Sequence, residues 1–323
     1  MSDIGFVVLS HDNPKQLLRL TERLLRSFRG CSIVCHHDLE RCPISLAQFP
    51  AGVAFVQPPL WTFWGHISLV QAELRALEML YEKANPEWFA ILSGSDYPIA
   101  PGSKILGDLS RSEYDALLDH RLISNGNCSS TVAIHNNENW HAYACRRYLQ
   151  TTLSPAVLNS VLGAETIGQV DHAIRNNAAA LLVPSVRPFP PTLSCFAGDH
   201  WLTGNRRIAH CLLEDSTLRK TVLDYFAECI VPDEAVYQTI LCNTPSILVS
   251  AENKRYSEWL PDGVHPQFLG CDRLSDMLNS GAHFARKFRE EDGVLEMLDE
   301  IIDDESSKAG KRTRETETQP LTL

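Results

Sequence analysis

The first hundred residues switch repeatedly between strand-like and helix-like patterning, and this alternation restricts the fold more than any other feature of the chain. IGFVVLS is an apolar run of strand length. NPKQLLRLTERLLRSF follows, with leucines at helical spacing behind Pro14, a residue suited to a first helical turn. CSIVCHHD and VAFVQ read as two further strands, SLVQAELRALEMLYEKA as an amphipathic helix, and WFAIL as a fourth strand. Strands alternating with helices pack as a mostly parallel sheet with helices on its faces. The expected fold class is therefore α/β, with a mostly parallel central sheet flanked by helices. Ligands of such sheets bind beyond the carboxyl ends of the strands. His11, Asp38 and Asp96 all fall at such ends.

The pattern loosens between residues 110 and 200, which hold polar stretches (SNGNCSSTVAIHNNENWH), a candidate helix near 165–180 and the turn RPFPPT. Loops of this length in a compact domain are usually functional or mobile. DEAVYQTILCN reads as a helix entered from Pro232, and CDRLSDMLNSGAHFARKF as a helix followed by a basic elbow. From Asp303 the segment DDESSKAGKRTRETETQPLTL is polar and aperiodic, as in disordered tails. The expected organisation is one domain over 1–302 and a disordered tail over 303–323.

At 323 residues and 44% apolar composition the chain can bury a real core. A net charge of −11 argues against broad nucleic-acid binding. No segment approaches the roughly 18 uninterrupted apolar residues of a membrane span. MSDIGFVVLSHDNP has no basic run ahead of its short apolar stretch, so it reads as a first strand rather than a signal peptide. The expectation is a soluble cytoplasmic protein, or a catalytic domain without its anchor. The ten cysteines include no C-x-x-C pair. They are expected to act mostly as small buried hydrophobes in a reducing compartment, not as a disulfide framework or a zinc site.

Several residues carry candidate chemistry, each beside a plainer reading. Asp96, in ILSGSDYPI, stands at a strand tip, where Asp also serves simply as a turn cap. HHDLE could be a metal cluster, but neighbouring histidines on a strand point to opposite faces. Asp233 and Glu234, in VPDEAVYQTIL, suit the first turn of a helix through its dipole. Glu234 could equally be a general base. Arg286 and Lys287 are flanked by Phe284 and Phe288, which suggests cations packed in place, as a diphosphate requires. Trp201, in GDHWLTGNRR, could be core. It could also be a platform for a sugar ring, with Asp199 and His200 holding hydroxyls. The chain contains no Asp-x-Asp, the motif with which many nucleotide-sugar transferases hold a divalent ion. If it handles such a donor, Arg286 and Lys287 are the obvious replacement for the metal's charge.

Seven stretches in this order, IGFVVLSHDNPKQLLRL, HHDLE, WGHISLVQAELRAL, ILSGSDYPI, AGDHWLTGNRR, PDEAVYQTILCN and FARKF, resemble the core-2/I-branching β-1,6-N-acetylglucosaminyltransferase and peptide O-xylosyltransferase family (glycosyltransferase family 14). The resemblance spans about residues 4–290. SDYPI, the WG pair and FARKF are closer to the xylosyltransferase branch, and the chain is most similar to short bacterial members. The resemblance implies a GT-A-type fold and an inverting, metal-independent transfer from a UDP-sugar to a glycan, peptide or polysaccharide-precursor acceptor. It places Glu234 as the catalytic base and Arg286 and Lys287 as the diphosphate clamp. Leu9 (through its backbone), His11, Asp38 and Trp64 fall around the uridine, Gly94 and Asp96 at the donor pocket, and Asp199, His200 and Trp201 on the acceptor side. Two positions depart from the family's pattern. His200 stands where the xylosyltransferases have an acid. Gln267 lies near the place where the N-acetylglucosaminyltransferases have an arginine, so the clamp rests on Arg286 and Lys287. The competing classes are a non-catalytic carbohydrate- or nucleotide-binding module and a glycoside hydrolase. The hydrolase would need a second carboxyl group beside Glu234.

Overall fold

The computed structural model of the protein describes residues 2–123, 137–150, 188–260 and 265–317. The alternation at the start of the chain becomes β1 (Ile4–Ser10), α1 (Pro14–Ser27), β2 (Ser32–His37), β3 (Val53–Phe55), α2 (Ser68–Lys83) and β4 (Trp88–Ser93). Asn13 caps α1: its side chain accepts the Gln16 N–H at 3.2 Å, satisfying one of the helix's orphan donors. Further strands follow: β5 (Asp96–Pro98), β6 (Ala116–Leu117), β7 (Arg121–Ile123), β8 (Cys195–Ala197), β9 (Thr203–Asn205), β10 (Val249–Ser250), β11 (Arg255–Ser257) and β12 (Phe284–Arg286).

Seven of these form the central sheet, in the order β10-β6-β9-β4-β1-β2-β3. All neighbouring pairs are parallel except those of β9, which runs antiparallel to β4 and β6. The two-residue period of the strands divides the core between the sheet's faces. Phe6, Val8, Ile33, Cys35, Ala90 and Leu92 pack with Leu17, Leu20 and Leu24 of α1. Val7, Val34, Phe89 and Ile91 pack with Val70, Leu74 and Leu77 of α2.

A second sheet, β11-β12-β5, brings together stretches far apart in sequence. Arg286 of FARKF lies opposite Asp96 of SDYPI, and the Phe288 N–H donates to the Ser95 carbonyl at 2.9 Å. β7 and β8 form a separate antiparallel pair.

Three expectations differ in detail. DEAVYQTILCN is not one helix. Pro232–Glu234 form a 3₁₀ turn and Val236–Cys242 the helix, with a break at Ala235 (φ −143°, ψ −27°). The basic elbow is a strand, β12, reached from the short helix Leu274–Asn279. The boundary expected at Asp303 falls inside a C-terminal helix, Val294–Glu317, which ion pairs fasten to α1. Arg23, almost fully buried, reaches Asp303 at 2.8 Å and Asp299 at 3.3 Å, and Arg19 reaches Asp299 at 2.9 Å. The candidate helix near 165–180 lies outside the described residues. Cys31, Cys35, Cys42, Cys195, Cys211, Cys229 and Cys242 are free thiols, most of them buried, and Cys145 is disulfide-bonded. Among the described residues no helix is long and apolar enough to cross a membrane.

Candidate active site

The carboxyl ends of β1, β2 and β4 converge because the parallel register sets Leu9 beside both His36 and Ser93. The Gly94 N–H donates to the Leu9 carbonyl at 2.8 Å, and the Asp38 N–H to the Ser10 carbonyl at 3.0 Å. Gly94 allows this approach: a Cβ there would stand 3.0 Å from Ser10 Oγ. His11 is exposed just beyond β1. Asp38 closes its own turn, accepting the Arg41 N–H at 2.9 Å. The two histidines before it are occupied. Leu60 N–H donates to His36 Nε2 at 2.9 Å, while His37 has Ser10 Oγ at 3.1 Å and the Cys42 carbonyl at 2.7 Å. Burial lowers the pKa of both rings, and it is the hydrogen bonds, not the protonation state, that engage their nitrogens. Trp64 lies edge-on to His265, ring centres 5.9 Å apart.

Beside these strand ends stand three cations. Asp96 is fully buried; its carboxylate accepts the Ser93 N–H at 3.1 Å and hydroxyl at 2.5 Å, and lies 3.4 Å from Arg286 Nε. The Arg286 guanidinium also sits 4.1 Å from the centre of the Trp201 ring. Behind it, Arg255 donates to Thr203 Oγ1 at 3.0 Å; burial, offset by Asp96 and reinforced by Arg286, draws its pKa down to about 10. Burial and the neighbouring Arg286 also lower Lys287, which has no ion-pair partner among the described residues. Cations crowded together and stripped of water gain from an arriving anion.

Across from the cations lies the Pro232–Glu234 turn. Val231, entering it, adopts a left-handed conformation (φ 51°, ψ 49°) that a β-branched residue rarely takes. Its N–H donates to the Gly65 carbonyl and its carbonyl accepts the Tyr148 hydroxyl, both at 2.7 Å. Glu234, a third exposed, has one carboxylate oxygen 2.6 Å from Arg147, whose side chain is 1% exposed. The Gly198 N–H donates to the Glu234 carbonyl at 2.9 Å, bringing Asp199 alongside. Gly198 packs so tightly that a Cβ would lie 2.2 Å from the Asp119 carbonyl oxygen. Asp199 is open to solvent, yet the surrounding protein removes much of its hydration. That loss, with the Asp119 and Glu234 carboxylates, pushes its pKa up to about 6. Arg286 feels Asp96, Asp199, Glu234 and Asp233 together: burial lowers its pKa and all four carboxylates oppose that. Arg286 and these carboxylates therefore share one site.

A model of the Core-2/I-branching enzyme family matches residues 4–278, most of the chain. The chain belongs to this family. Among curated relatives, it is 26% identical over 248 residues to the beta-glucuronosyltransferase GlcAT14A of Arabidopsis thaliana, covering 75% of this chain and 48% of that protein. It is 24% identical over 237 residues to GlcAT14C of the same plant, covering 72% and 54%. The chain thus spans about half the length of the relatives it matches. Among solved structures it matches HddC from Yersinia pseudotuberculosis complexed with GMP-PN at a TM-score of 0.27 and 12% identity, covering 67% of this chain and 80% of that one.

Within this family member, His11, Asp38, Gly94 and the backbone of Leu9 lie at the strand ends, and Trp64 packs against His265. Asp199 and Glu234 act on Arg286, while its neighbour Lys287 feels Asp12 and Asp96. Three residues differ from their expected use. Asp96 presents no surface, so it positions Arg286 instead of lining a donor pocket. Trp201 is only 8% exposed, stacked on His200 at 4.6 Å and covered by Arg286, so it is no open sugar platform. His200 is held between two buried acids, Glu73 and Asp233, and is not free to receive acceptor hydroxyls. Sequence reasoning missed Glu73, Arg147, Arg255 and Val231. Only Glu73 left a local signal, as a charge on the apolar stripe of α2 between Val70 and Leu77.

Proposed function

We propose that the chain is an inverting glycosyltransferase that moves a sugar from a UDP-sugar to an acceptor hydroxyl without a metal ion. The observation carrying this reading is the pairing of β5 with β12, which sets Arg286 against Asp96 and within electrostatic reach of Asp199 and Glu234, with Lys287 beside it. In a single displacement Glu234 takes the proton of the acceptor hydroxyl, whose oxygen attacks the anomeric carbon from the face opposite UDP. The bond to the diphosphate breaks, and Arg286 and Lys287 stabilise the charge developing on the leaving group. These fixed cations do the work a divalent ion does in many transferases.

The resemblance supports xylose or N-acetylglucosamine as the sugar, and the names of the Arabidopsis relatives add glucuronic acid. Asp199 beside Glu234 gives the cleft the two carboxyl groups a glycosidase would use, but hydrolysis leaves the Arg286–Lys287 pair without a task. A panel of UDP-xylose, UDP-N-acetylglucosamine and UDP-glucuronate with glycan and peptide acceptors, assayed for UDP release in excess EDTA, tests the proposal. Release from one donor supports transfer. Loss in EDTA restored by Mn²⁺ would refute metal independence, and tight UDP binding without release would favour a binding module.

A further inference from the structure

Glu73 is fully buried on α2, and both of its carboxylate oxygens meet polar groups of other elements. Oε2 accepts the Tyr237 hydroxyl at 2.6 Å. Oε1 lies 2.5 Å from His200 Nε2, off the axis of an ideal hydrogen bond, as in a compact ion pair. His200 Nδ1 lies 3.4 Å from Asp233, the residue before Glu234. The His200 ring stacks on Trp201 at an interplanar angle of 29°, and Trp201 carries Arg286 over its own ring. One histidine therefore touches the turn that holds the carboxylates and the aromatic ring that seats the clamp.

We propose that Glu73 is a positioning residue for the transfer reaction: by holding His200 between itself and Asp233, it sets Trp201 beneath Arg286 and fixes the turn that bears Glu234. This rests on the reading of the site as a glycosyltransferase centre. Glu73 touches neither donor nor acceptor and acts through His200.

The groups facing His200 are Glu73 on α2, Asp233 on the turn and Arg286 on β12, with the Tyr237 hydroxyl behind Glu73. Burial disfavours the charged ring and so does Arg286, but Glu73 and then Asp233 outweigh them and hold the pKa up to about 9. Deprotonation above that value would leave two buried acids facing each other with no cation between them. Glu73 is the larger of the two acidic influences, so its charge sets the alkaline limit of the site.

Glu73→Gln keeps the shape and removes the charge. In the full chain we expect a fall in kcat of about tenfold or more, a smaller loss of UDP affinity because Asp96 still holds Arg286, and an alkaline limb of the rate profile displaced from near pH 9 towards neutrality. Asp233→Asn is expected to displace the limb in the same direction by less. A purely structural Glu73 would lower thermal stability and leave the limb where it was; that result, or full kcat in Glu73→Gln, overturns the proposal. Histidine-labelled NMR reads the same point without turnover, since the His200 titration must move down in either variant. If wild type transfers from no donor, the functional reading fails, while an unmoved His200 titration in both variants would reject the Glu73 assignment by itself.

Discussion

Asp96, Arg286 and Trp201 show how single residues divide the work at this site. Asp96 gives up all solvent contact to hold Arg286, and Trp201 supports the guanidinium from below. Lys287 has no ion-pair partner among the described residues, and in the proposed transfer it would meet the incoming diphosphate. Replacing Lys287 by Met is expected to weaken UDP binding about ten- to hundredfold by calorimetry, the effect of losing one charge-assisted hydrogen bond. Glu234→Gln should bind UDP as wild type does and lose about 10²–10⁴ in transfer rate, because only general-base help is removed. The packed setting of Arg286 was legible in the sequence because phenylalanines flank it, and it is indeed nearly buried against Asp96 and Trp201. The settings of Trp201 and His200 were not, since a sequence does not tell which face of a ring is already covered.

The early strands and helices follow their hydrophobic periods closely, because each buries one face against a neighbour that the same period supplies. Where the chain departs from such patterning, long-range pairing decides. Nothing local in SDYPI says that it joins FARKF as a strand, and nothing in VPDEAVYQTIL says that it breaks at Ala235. That break follows from Val231, whose left-handed backbone is secured by Gly65 and Tyr148 from elsewhere in the chain. The C-terminal helix is held partly by charge, which an aperiodic polar sequence conceals. Asp299 accepts the Tyr97 hydroxyl at 2.9 Å and pairs with Arg19 and Arg23, so this helix braces α1 and the strand bearing Asp96. Asp299→Ala should cost about 1–2 kcal/mol in urea denaturation. That is less than the roughly 3–5 kcal/mol of a fully broken buried pair, because Asp303 still meets Arg23. An unchanged midpoint would show that the helix braces nothing.

At the scale of the whole molecule, the acidic chain gathers Arg255, Arg286 and Lys287 beside the strand ends, where Arg286 also feels the carboxylates of Asp199, Asp233 and Glu234. Under the proposed transfer, this polarity would orient a donor with its diphosphate on one side and an acceptor hydroxyl on the other. It also ties stability to pH through His200. Its folded pKa of about 9 lies above the ordinary 6.5, so the stability it contributes is fully present below about pH 6.5 and is lost as pH rises through 9. Thermal melts should show a decline through that window that is smaller in Glu73→Gln, and an equal slope in both would contradict the assignment. The central claim is that clamp and base act together in one transfer. The direct test measures UDP release from the active donor, in EDTA, by wild type, Glu234→Gln and Lys287→Met. The account predicts acceptor-dependent release by wild type, donor binding with release slowed about 10²–10⁴-fold in Glu234→Gln, and weaker donor binding together with slower release at saturation in Lys287→Met. Wild-type rates in Glu234→Gln would contradict it.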